Sequence, residues 1–167
     1  MKTKTLLLLL LFLISSSIIL AQSDCACCTE KHIEFDFWVG EWIVTDTAGN
    51  KVGENTISKM ESNCILLEQW KGSGGGTGSS INYYNKADSS WNQTWVDNKG
   101  SVLELKGKLE NGVMVLKSEL LQGQTAKYFN QISWTPNEDG SVVQLWEIYG
   151  EDKTLLKTLF KGIYTSK

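Results

Sequence analysis

From Glu41 onward, apolar and polar residues alternate with a period of two in short runs, and the runs are separated by Gly, Asn and Asp. A period of two places successive side chains on opposite faces of a strand. The runs predict strands over 41–46, 54–60, 64–71, 79–85, 91–97, 101–108, 112–120, 125–135, 141–149 and 155–165, the spacing found in β-sandwiches and barrels. Asn98-Lys99-Gly100, Glu110-Asn111-Gly112 and Glu138-Asp139-Gly140 join them, and such residues tolerate the positive φ of tight hairpins. Sequential hairpins make an antiparallel meander. A meander this long leaves two unpaired edges unless it closes on itself. The predicted fold is therefore all-β, an antiparallel up-and-down β-barrel of about ten strands, with an open sandwich as the competing architecture. Only Thr29 to Phe37 offers a short helix, and Pro136, the single proline, is predicted to lie in a turn.

The first segment follows a different pattern. Lys2 and Lys4 precede an apolar stretch from Leu6 to Leu20 that ends at Ala21, which is the layout of a secretory signal peptide. Ser15, Ser16 and Ser17 interrupt the stretch, so the uninterrupted core falls short of the roughly 20 residues of a membrane anchor. The chain divides accordingly into a signal peptide over 1–21, an N-terminal segment with a Cys cluster and short helix over 22–37, and the barrel over 38–167. The expected location is secreted or periplasmic, with no stable membrane span after cleavage.

Cysteine usage agrees with export, because Cys25, Cys27, Cys28 and Cys64 all follow the cleavage point and are even in number. Adjacent Cys27 and Cys28 do not readily bridge each other, so one N-terminal Cys is expected to bond Cys64. Cys28 to Cys64 is the preferred pairing; the partners of Cys25 and Cys27 stay open. Cys25-x-Cys27-Cys28 with His32 also has the ligand types of a soft-metal site, but it lacks the two regularly spaced ligand pairs of structural zinc. No metal and no cofactor are expected.

Charge narrows the partners. All sixteen basic residues are Lys, and the nineteen acids give the full chain a net charge of −3. Binding to nucleic acid needs clustered positive charge, and the lysines are scattered, so no nucleic-acid partner is expected. With one histidine, His32, placed before the first strand between Glu30 and Glu34, a Ser-His-Asp or Cys-His mechanism has a single residue to run through. The glycine-rich stretch 71–80 lacks the Lys-Ser/Thr pair of a phosphate loop and reads as a hairpin loop at a barrel rim.

Three strands repeat one local arrangement: Glu68-Gln69-Trp70, Gln93-Thr94-Trp95 and Gln144-Leu145-Trp146. Within each, the polar residue and the Trp share a face, and the second strand extends the row from Trp91 to Asp97. If these rows face inward, they line an interior with aromatic walls and a few oriented polar groups, which is the make-up of a small-molecule pocket. The alternative is a filled core in which Gln and Glu satisfy indole N–H groups. Glu68 and Asp97, if close together, would form a general acid and base for an isomerase or hydrolase. The candidate ligand-binding residues are thus Glu68, Trp70, Trp91, Gln93, Trp95, Asp97, Gln144 and Trp146. The partner they suit is a small apolar or amphipathic molecule. A structural or protein-interaction domain is the third reading.

Gly40-Glu41-Trp42 resembles the Gly-x-Trp first strand of lipocalin-like (calycin) barrels, in which the Gly permits a tight bend and the Trp plugs the closed end. Together with Phe35-Asp36-Phe37-Trp38, Trp91 to Gly100 and Asp139 to Gln144, it is similar to a group of uncharacterised secreted bacterial proteins with a lipocalin-like domain. The resemblance implies the barrel over most of 33–167 and carries no agreed activity. Lipocalins stack an Arg over the Gly-x-Trp indole; this chain has none, and Lys161 is the residue the resemblance offers in its place. Haem-binding ten-stranded calycins of the nitrobindin type carry a His near the chain end, and 125–167 contains no His.

Overall fold

The computed structural model describes residues 25–167; the segment expected to be a signal peptide, 1–21, lies outside them, as do residues 22–24. Ten strands form the barrel wall: β1 (Gly40–Thr45), β2 (Lys51–Met60), β3 (Ile65–Gly72), β4 (Thr77–Asn85), β5 (Ser90–Asp97), β6 (Val102–Glu110), β7 (Val113–Lys117), β9 (Lys127–Pro136), β10 (Val142–Gly150) and β11 (Leu155–Ser166). A two-residue strand, β8 (Leu121–Gln122), adds to the side of β9. Each wall strand pairs antiparallel with the next, and β1 pairs with β11 to close the ring, Trp42 opposite Ser166 and Val44 opposite Tyr164. The open sandwich is thereby excluded. All ten predicted runs fall on wall strands; Pro136 ends β9 instead of lying in the turn beyond it.

The helix expected over Thr29 to Phe37 shrinks to a 3-10 turn at Asp36–Trp38, preceded by single turns in which His32 N and Ile33 N donate to Thr29 O. This segment folds over one end of the barrel. Phe35 and Trp38 have no exposed surface, stack at 4.9 Å, and contact Trp91 and Trp134 edge-on or tilted. Burial of that many large rings is the main apolar stabilisation at this end. Gly40 makes the entry into β1 possible: its φ of +147° is open to glycine and disfavoured for other residues. Trp42 then packs inside the barrel, with its indole N–H donating to Trp38 O at 2.9 Å. Tyr164, not Lys161, meets the Trp42 ring, with centroids 6.2 Å apart at 70°, while Lys161 is exposed.

Two disulfides fix the segment, and the pairing differs from the Cys28–Cys64 expectation: Cys27 bonds Cys64 and Cys25 bonds Cys28. The reason is local. A turn closed by Cys28 N donating to Cys25 O brings positions i and i+3 to one side, leaving Cys27, buried, to face the β2–β3 turn that carries Cys64. That turn holds Glu61, Ser62 and Asn63 at positive φ. With all four cysteines in disulfides, no thiolate stands beside His32 for a metal. His32 is buried against Tyr84 and bonded to Thr29, and burial, followed by the nearby Lys86 charge, lowers its pKa.

Candidate functional site

At the end opposite this plug the barrel holds a cavity of about 280 Å³, lined by Glu68, Trp70, Gln93, Trp95, Leu103, Ile132, Gln144, Trp146, Leu159, Phe160 and Tyr164. The three indoles of the repeated arrangement, Trp70, Trp95 and Trp146, are half-buried around it, and their polar partners Glu68, Gln93 and Gln144 lie deeper and are buried. Strand register explains the convergence: Glu68 stands opposite Ser80, Ser80 opposite Trp95, and Gln93 opposite Asn82. Across the barrel, Trp146 stands opposite Phe160 on β11 and Ile132 on β9. Close-approach glycines make room for the rings. A Cβ at Gly53 would lie 2.5 Å from the Trp70 ring, and one at Gly78 would lie 2.2 Å from that of Trp95. With hydrogen at those positions, both indoles lie against the wall and the volume between them stays open.

The floor is a hydrogen-bonded polar network. Asn55 Nδ2 donates to Glu68 Oε1 at 2.8 Å and Ser80 Oγ donates to Glu68 Oε2 at 2.6 Å. Asn82 Nδ2 donates to Ser80 Oγ at 2.9 Å and to Leu66 O at 3.1 Å, and Gln93 Nε2 donates to Asn82 Oδ1 at 2.8 Å. Tyr164 OH donates to Gln144 Oε1, and the Trp146 indole N–H is satisfied by Asn130 Oδ1 at 2.9 Å. Buried polar groups are normally paired in this way. On this floor Asn55 Oδ1 is an exception, buried without a donor among the described residues. Burial pushes the Glu68 carboxyl above its ordinary range, against the opposing hydrogen bonds from Ser80 and Asn55. It also pushes the Tyr164 hydroxyl well up, with the Glu68 charge adding to the effect.

Two of the sequence-chosen residues fall elsewhere. Trp91 shares the inward face but lies at the closed end, buried against Phe35 and Tyr84. Asp97 closes the β5–β6 turn, its Oδ1 accepting Lys99 N at 2.8 Å and Ser101 N at 2.9 Å; those backbone bonds lower its pKa. It does not line the cavity, so the proposed Glu68 and Asp97 acid–base pair is not assembled. The sequence had a signal for this, because Asp46-Thr47-Ala48-Gly49-Asn50 has the same Asp-x-x-Gly form and makes the same turn, with Asp46 Oδ1 accepting Ala48 N and Asn50 N. Asn55, Ser80, Asn82 and Tyr164 are floor residues that sequence reasoning missed. In β4, polar Ser80 and Asn82 face inward while Ile81 and Tyr83 face solvent, which inverts the usual hydropathy rule. Of the glycine-rich stretch, residues 73–76 form the β3–β4 turn just beyond Trp70 and the rest lies in β3 and β4, with Ser73 N donating to Val52 O and Asn98 Nδ2 to Gly75 O. Compared with known proteins, the chain matches no family model and no curated protein.

Proposed function

We propose that this chain is an exported, non-enzymatic binding protein that holds a small, partly apolar molecule in its barrel, in the manner of the secreted bacterial lipocalin-like proteins its motifs resemble. The observation that carries the reading is the convergence of Glu68, Trp70, Gln93, Trp95, Gln144 and Trp146 on one cavity that opens between three half-buried indoles. Apolar walls with a few convergent polar groups are the usual composition of a ligand site. A volume of about 280 Å³ suits a single small molecule. The two disulfides fit an oxidising compartment.

The test is a panel of lipids and small metabolites added to the mature protein, read by tryptophan fluorescence and by thermal melting. A ligand at a hundred times its Kd stabilises the folded state by about 2.7 kcal/mol, so a bound molecule should raise the melting temperature while changing the emission of Trp70, Trp95 or Trp146. A panel in which no member moves either signal would refute the reading.

A further inference from the structure

The floor of the cavity offers more hydrogen-bond acceptors than donors. Among the described residues Glu68 is its only acid and no Lys lines it; the chain has no Arg, and its single histidine packs at the opposite end on Tyr84. Among the described residues, those that stand opposite Glu68, bond it or share the cavity's polar lining with it are neutral: Asn55 and Ile57 from β2, Ser80 from β4, Gln93 from β5, Gln144 from β10 and Tyr164 from β11. Tyr164 is the only titratable one, and its proton goes to Gln144, away from the carboxylate. Glu68 takes one hydrogen bond on each oxygen, from Asn55 and Ser80, although an ionised carboxylate has about four acceptor sites. Beside it, Asn55 Oδ1 has no donor among the described residues. A buried carboxylate without a cation is strongly disfavoured unless a charge partner arrives or it takes a proton.

We infer that the cavity takes an amphipathic amine, with its ammonium seated on Glu68 and its apolar body between Trp70, Trp95 and Trp146. This rests on the cavity being a ligand site, as proposed above, and names the class of molecule. An ammonium supplies three donors and a positive charge, which answers both the missing cation and the shortage of donors. An alcohol supplies one donor and no charge; a carboxylate ligand adds a second anion next to the first. The electron-rich faces of the three indoles at the mouth are also compatible with a cation passing to the floor. Because burial holds the free Glu68 carboxyl above its ordinary range, seating an ammonium there expels a proton wherever the free acid is still protonated. Amine binding should therefore tighten as pH rises through the Glu68 titration.

The experiment compares n-octylamine, octan-1-ol and octanoate, which differ only in head group, by isothermal titration calorimetry on the mature, oxidised protein. Octylamine should bind at least about tenfold more tightly than octanol, with octanoate weakest. On the acid side of the Glu68 titration, octylamine binding should release a proton, read as a binding heat that changes with the ionisation heat of the buffer. In Glu68→Gln the preference for the amine over the alcohol should vanish. The wild-type head-group comparison stands alone if that variant fails to fold. Octanol or octanoate binding as tightly as octylamine would overturn the amine assignment while leaving the ligand site intact. Silence from all three overturns the assignment too, and the broader panel then decides by itself whether the cavity binds anything.

Discussion

Trp38, Trp91 and Trp134 at one end of the barrel, and Trp70, Trp95 and Trp146 at the other, are the same residue type in two different settings. At the closed end Phe35 enters from the N-terminal segment and contacts all three rings. Those indoles are buried, and their N–H groups have no partner among the described residues, so their apolar surface is what they contribute. At the open end no segment of the described residues enters. Trp70 and Trp95 lie over glycines, Trp146 is tied to Asn130, and the space between them is left unfilled. A ring becomes core or cavity wall according to what else occupies its layer, and the N-terminal segment decides that for only one of the two ends.

Substitution should separate the two sets clearly. Trp38→Ala removes a fully buried ring from the plug and should lower unfolding free energy by about 3–5 kcal/mol, whereas Trp146→Ala, at a half-buried cavity wall, should lower it by roughly 1–2 kcal/mol. Denaturant titration of both variants gives the numbers; equal losses would mean that the two ends are packed alike. Next in size is the tether. The Cys27–Cys64 bond spans 37 residues and the Cys25–Cys28 bond only 3, and longer closed loops constrain the unfolded chain more. Replacing Cys27 and Cys64 together with Ser should cost about 2–4 kcal/mol, and replacing Cys25 and Cys28 clearly less. Peptide mapping under non-reducing conditions checks the pairing itself.

A smaller effect is expected at the open end from Gly78→Ala. The new methyl would collide with the Trp95 ring, so the indole must swing toward the cavity, at about 1–3 kcal/mol, with a shifted tryptophan emission and weaker ligand binding. An unchanged spectrum would show that Trp95 does not rely on that glycine. The smallest change concerns pH. Burial raises the Glu68 pKa in the folded protein above its unfolded value, so its contribution is fully present below the unfolded carboxyl range and is lost as pH rises through the folded pKa. Stability of the unliganded protein should fall with pH across that window, and Glu68→Gln should flatten the slope; denaturant midpoints measured at several pH values decide it.

Much of this was legible in the chain because strand alternation and Asn-Gly or Asp-Gly turns are local signals, and all ten runs lie on the barrel wall. Parity correctly put Glu68 with Trp70, Gln93 with Trp95 and Gln144 with Trp146. Parity gives the face and not the depth along a strand, which is why Trp91 and Trp95, both inward on β5, belong to opposite ends. The floor stayed hidden for a different reason. Asn55, Ser80, Asn82 and Tyr164 come from three strands, and only the closed register brings them together, in β4 with the apolar residues pointing outward. Cysteine connectivity was not readable either, since Cys25-x-Cys27-Cys28 gives Cys64 three possible partners and one backbone turn selects among them.

The seam between β1 and β11 has a kinetic meaning. Tyr164 lies 109 residues beyond Asn55, its hydrogen-bonding neighbour on the cavity floor, so the floor exists only once the last wall strand has docked against the first. Contacts this distant in sequence form slowly. An intermediate with the plug packed and the Cys27–Cys64 bond made, but with β11 still loose, would therefore have a well-formed closed end and no finished cavity. Completion of the cavity during refolding is then a single late event, the annealing of the ring.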